Sequence, residues 1–128
     1  MTKYNYVCHF DITVPDFLKA KNFYENVFGW NVNYVPKMDY ATFEAGDKPY
    51  GGFRKGKPKK GQSVINYIMV FNIDETIKKI TKNGGKIVQK KTEIYPIGWQ
   101  ATFYDPFGNL LGLFQASGKK GMKVEDFK

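Results

Sequence analysis

One pattern governs what this chain can fold into: a strand, a helix and three strands, written twice. Residues 4–14, YNYVCHFDITV, alternate around β-branched and aromatic types and read as a strand. Asp16 follows as an N-cap, because its carboxylate can accept orphan amide protons. Phe17, Ala20, Phe23, Tyr24, Val27 and Phe28 then fall at helical spacing, and Gly29 supplies a left-handed stop. Three short strands are expected at 30–35, 39–45 and 50–55, separated by the turn-like PKM and GDKP. After the basic stretch GKPKKGQS the pattern restarts: SVINYIMVF as a strand, NIDETIKKITKNGG as a capped helix, then KIVQKKTEI, GWQATFYD and NLLGLFQ as strands. In DPFGN, Pro106 suits the second turn position and Gly108 a positive φ.

A shift of 56 residues superposes Val14 on Val70, Asp16 on Asn72, Phe17 on Ile73, Gly29 on Gly85 and Gly52 on Gly108. The coincidences fall at a strand end, a cap and glycine breaks, so we read two copies of one module. Module one spans about 4–55, a basic linker about 56–63, module two about 64–116 and a tail 117–128, all within one domain. The expected class is α+β. Each βαβββ module has one helix for two sheet faces, so two such sheets can curve together into a cupped, open-barrel mixed sheet with a concave ligand face.

Composition narrows the function classes. In 128 residues, 42% hydrophobic and 17% aromatic content is enough for a packed core, which excludes a disordered chain. A single cysteine cannot form an internal disulfide, no apolar run is long enough to span a membrane, and MTKYNYV lacks a signal-peptide core; a cytoplasmic protein is expected. The net charge of +8 raises the question of nucleic acid. The lysines, however, are spread over loops and helix faces without a recognition motif, and they read as solubilising.

The segments HFDITVPDFLKAKNFYENVFGW, YGGFRK, INYIMVFNIDETIKKITKNGGKIV and IGWQATFYDPFGNLLGLFQ resemble, in order, the vicinal oxygen chelate superfamily of glyoxalase I, bleomycin-resistance proteins and extradiol dioxygenases. The likeness covers about residues 4–116 and is nearest to the subgroup described as predicted lactoylglutathione-lyase-related proteins. It implies a small-molecule ligand and a homodimer. In the metal enzymes it implies a divalent ion held by a His on a module's first strand and a Glu, Gln or His on its last. His9 matches the first of these positions. Ile65 stands at its counterpart, Gly112 stands at the last-strand position of module two, and YGGFRKG offers no ligand in any register. The expectation is therefore no metal and no other cofactor.

Strand alternation sets Val7, His9 and Asp11 on one face and Cys8, Phe10 and Ile12 on the helix side. Ile65, Tyr67 and Met69 share the first face in module two, with Gly112 and Phe114 from the last strand. His9 and Asp11 are the candidate catalytic residues, as a base and its orienter, and equally a pair that merely satisfies itself. Tyr67, Trp99, Tyr104 and Phe114 are the candidate substrate-binding residues, the directions of Trp99 and Tyr104 being left open. The expected function is glyoxalase/bleomycin-resistance-like binding of a small molecule without metal. The alternatives are a divalent-metal-dependent lyase or isomerase and a drug-sequestering protein.

Overall fold

Strand β1 (Tyr6–Val14) leads into helix α1 (Phe17–Phe28), followed by β2 (Asn31–Val35), β3 (Tyr40–Ala45) and β4 (Lys48–Lys55). The order then repeats as β5 (Val64–Met69), α2 (Ile73–Lys82), β6 (Lys86–Ile94), β7 (Gly98–Tyr104) and β8 (Leu110–Ala116). The computed structural model describes residues 4–45, 48–61 and 64–118. Residues 62–63 of the expected linker and 119–128 of the expected tail lie outside these.

The chain divides into two compact units. One runs from His9 to Val64; the other holds the residues up to Cys8 together with those from Ile65 onward. Strand order is β2-β3-β4-β1 in the first and β5-β8-β7-β6 in the second. In each, the module's last strand returns parallel to its first, and the remaining pairs are antiparallel. This is the α+β arrangement of paired βαβββ modules.

The helices start where the caps predict. The Asp16 carboxylate accepts from Lys19 N and the Asn72 side chain from Glu75 N, both at 3.1 Å. Gly29 adopts φ 72° and closes α1 by donating to Glu25 O and Tyr24 O. Such a left-handed stop is open to glycine at little cost.

In the first unit α1 packs on Val14, Val32, Ala41, Phe43 and Phe53, with Phe10, Ile12 and Trp30 completing the cluster. Only Phe17, Ala20 and Tyr24 of the expected helix face join it. Phe23, Val27 and Phe28 are more than half exposed, at 55%, 56% and 60%. After Gly29, Trp30 stacks on Tyr24 at 4.9 Å, with Phe28 5.8 Å from its ring. In the second unit α2 packs through Ile73, Ile77 and Ile80 on Val70, Ala101, Phe103 and Leu113.

The structure corrects the repeat alignment. Asp11 lies opposite Gly52 in the β1–β4 ladder, and Tyr67 opposite Gly112 in the β5–β8 ladder. Asp11 and Tyr67 are 56 residues apart, so the counterpart of Gly52 is Gly112, at a shift of 60, and not Gly108. Gly108 instead sits in the turn before β8 with φ 87°. The larger shift also aligns Ala41-Thr42-Phe43 with Ala101-Thr102-Phe103, identical in sequence. The extra residues enter in the β6–β7 hairpin, whose register shifts at Ile87/Gln89 and Gln89/Thr92.

Two exposed carboxylates fasten local structure. The Lys21 ammonium beside Glu25, and then the Val32 amide, hold its carboxyl below the usual carboxylate range. The Asn109 side chain and amide do the same for Asp105 in the β7–β8 turn. A depressed folded-state pKa means the unfolded chain binds more protons in that range. The stabilisation is therefore present above the ordinary carboxylate pKa and lost as pH falls through the folded value. Glu25→Gln is expected to lower the melting temperature at neutral pH and to match the parent in strong acid. A gap unchanged across a pH series of thermal melts would contradict this role.

Candidate functional site

In each unit one sheet face carries the helix, and the other carries the candidate residues except Trp99. Asp11 sits on that second face of β1, two residues from His9, as the pleat requires. Both are nearly buried, at 9% exposure for His9 and 8% for Asp11. A third group joins them from β3. The Tyr40 hydroxyl donates to Asp11 Oδ1 at 2.6 Å, while His9 Nε2 lies 2.7 Å from the same oxygen and 2.8 Å from Tyr40 Oη. Three atoms thus form a closed triangle. An unprotonated Nε2 would set its lone pair against a carboxylate oxygen, so the contact assigns the proton to Nε2. Asp11 then accepts from both neighbours, and charge-assisted bonds of this kind are short and strong.

Glycine makes room for the triangle. Gly52 faces Asp11 across the β1–β4 ladder and Thr42 across β3–β4. A Cβ there would collide with the Tyr40 hydroxyl and with the Ala41 carbonyl oxygen. Tyr40 is the residue that the local sequence pattern did not single out. The available signal was the Gly51-Gly52 pair in mid-strand, which marks a close approach of another group.

The second unit repeats the device with an apolar outcome. Ile65, Tyr67, Met69 and Phe114 are buried on the helix-free face, at 4%, 6%, 2% and 4% exposure. The Tyr67 ring covers Gly112, where a Cβ would collide with it. Cys8 Sγ lies 3.6 Å from the Tyr67 carbonyl oxygen. Tyr104 is 42% exposed at the end of β7. Trp99 lies on the other side of its sheet, packed into the α2 cluster, with the Lys91 ammonium 5.2 Å from its ring centre. Tyr67 and Phe114 therefore share a face that Trp99 does not.

A family profile described as "Bleomycin resistance protein-like N-terminal" matches residues 7–46, which hold all but the first residue of β1, then α1, β2 and β3. The anthracycline biosynthesis protein DnrV of Streptomyces peucetius is 24% identical over 136 residues, covering 90% of this chain and 48% of DnrV. A glyoxalase/bleomycin resistance protein/dioxygenase superfamily member from Vibrio splendidus has the same fold, with TM-score 0.61, 17% identity and coverage of 84% of this chain and 96% of that one. The fold is that of glyoxalase/bleomycin resistance protein/dioxygenase superfamily structures. It spans about half the length of the curated relatives it matches. A second profile, described as the C2 domain of protein kinase C delta/epsilon/eta/theta, matches residues 50–107. That span begins inside β4 and ends before β8, so it follows no complete module.

Some superfamily structures hold a metal. An Mn(II)-bound glyoxalase from Novosphingobium aromaticivorans aligns with TM-score 0.64 and 17% identity, covering 96% of this chain and 42% of that one. The residues of the present chain do not fit such a centre. His9 Nε2 is engaged by Asp11 and Tyr40. Its counterpart in the second module is Ile65, and the paired last-strand positions, Gly52 and Gly112, are each covered by a phenol ring. Among the described residues no three His, Cys, Asp or Glu side chains cluster closely enough to hold a metal ion.

Proposed function

We propose that this chain is a member of the vicinal oxygen chelate superfamily that binds a small organic molecule on a helix-free sheet face, without the metal found in some of its relatives. The observation that carries the reading is the His9–Asp11–Tyr40 triangle. It is a nearly buried polar cluster standing where the superfamily places its first ligand, with both last-strand positions reduced to glycine. A few convergent polar groups beside aromatic and aliphatic surface are the usual make-up of a small-molecule site. In this reading His9 and Asp11 meet the polar part of a ligand on the first unit, and Tyr67, Phe114 and Tyr104 are candidate apolar contacts on the second unit by itself. The name of DnrV, an anthracycline biosynthesis protein, supports an aromatic ligand here. A cationic drug is disfavoured by the net charge of +8. We further propose one glyoxalase-like domain, acting as a homodimer in the cytoplasm. Among the described residues no helix is long and apolar enough to cross a membrane.

A thermal-shift screen of aromatic small molecules, run beside elemental analysis of the purified protein, tests the reading. A ligand at a hundred times its Kd adds about 2.7 kcal/mol, a readily seen shift. His9→Ala is expected to stay folded, because Asp11 keeps its bond from Tyr40, and to lose the ligand-induced shift. No shift in the parent, or a full shift in His9→Ala, would sink the reading, and a stoichiometric divalent ion would favour a metal-dependent lyase or isomerase instead.

A further inference from the structure

We propose that Tyr40 sets the specificity of this site, and that the ligand it selects carries a hydrogen-bond-donating hydroxyl rather than a negative charge. The inference rests on the ligand-binding reading above and deepens it.

Asp11 Oδ1 is acceptor only, and it receives the Tyr40 proton at 2.6 Å. That fixes the direction of the phenol's O–H: the proton points inward, at the carboxylate. The Nε2–H of His9 is shared between Asp11 Oδ1 at 2.7 Å and Tyr40 Oη at 2.8 Å. With its own proton committed to an ionised carboxylate, Oη is polarised into a stronger acceptor than a solvated phenol.

An arriving hydroxyl can therefore donate to Oη. The Nε2–H then falls wholly to Asp11 Oδ1, and every member of the triangle keeps a partner. An arriving anion meets the opposite conditions, because the phenol proton is already held and the Asp11 carboxylate repels it. Across the β1–β4 ladder Asp11 faces Gly52, and Arg54, two residues along β4, stands opposite Tyr40.

Accessibility points the same way. His9 and Asp11 are nearly buried, whereas Tyr40 is partly exposed, so the phenol is the member of the cluster that a ligand reaches. Its placement is specified twice: β3 pairing sets Tyr40 opposite Arg54, and Gly52 clears the volume its hydroxyl occupies. A phenol held in this way is a fixed acceptor, and fixed polar groups discriminate strongly against analogues that leave them unmatched.

The test uses three probes of one size: p-cresol, 4-fluorotoluene and benzoate, titrated into the full chain by NMR. The parent is expected to bind p-cresol about tenfold more tightly than 4-fluorotoluene, the worth of one net hydrogen bond, and to bind benzoate most weakly. Tyr40→Phe, which leaves the His9–Asp11 contact in place, should abolish the preference for p-cresol over 4-fluorotoluene. Asp11→Asn should shrink the preference and admit benzoate. Equal binding of p-cresol and 4-fluorotoluene by the parent overturns the inference alone, as does a preference that survives in Tyr40→Phe or a parent that favours benzoate. If none of the three binds, the inference and the ligand-binding reading on which it rests fall together.

Discussion

Phe43→Ala is expected to cost about 3–5 kcal/mol, the range for truncating a fully buried phenylalanine. Phe43 has no exposed surface and stands at the centre of the first unit's core. Its ring is stacked on Trp30 at 4.5 Å and packed against Phe53 at 5.1 Å and Phe10 at 5.5 Å. Truncation removes transfer free energy and also leaves a cavity. The neighbouring rings cannot collapse into it, because each belongs to a different strand or to the turn after α1. Urea denaturation with an unchanged m-value would measure the loss. A cost below about 1 kcal/mol would mean that the cluster is far more plastic than close-packed aromatic rings allow.

Gly112→Ala is expected to destabilise the second unit by about 1–3 kcal/mol through overpacking. The added methyl group would meet the ring of Tyr67, which is itself buried at 6% exposure and has no room to swing away. The cost should fall sharply in a Tyr67→Ala background, where the obstacle is gone, and a double-mutant cycle would give the coupling directly. Additive effects of the two changes would show that the ring and the glycine do not meet. The same collision faces a glutamate at 112. Gly112→Glu is therefore expected to disturb the fold as well.

The elements of this fold are legible in the chain because punctuation and periodicity agree. Asp16 and Asn72 cap the two helices, Gly29 ends the first, and the alternation in β1 assigns His9 and Asp11 to one face and Phe10 and Ile12 to the helix side. What escapes is whatever depends on register between strands. A single shift of 56 residues aligns the first strands and helix starts but misses the Ala-Thr-Phe identity, because the hairpin of the second module is longer and bulged. Tyr40 escapes for a related reason. Nothing near it in sequence marks it, and its meeting with Asp11, 29 residues away, follows from two ladders and one glycine. The exposure of Phe23, Val27 and Phe28 is equally invisible to helical spacing. The helical pattern says which residues can be buried together, and not which of them are.

Trp30 has one more consequence. The protein has only two tryptophans, and each unit holds one of them. Their surroundings contrast: Trp30 is sandwiched between Tyr24 and Phe43, while Trp99 lies under the Lys91 ammonium. The molecule thus carries two intrinsic fluorophores, one reporting on each half. In Trp30→Phe and Trp99→Phe variants, emission would follow the unfolding of a single unit, and any difference between the two curves would reveal whether the halves melt as one cooperative body or in sequence.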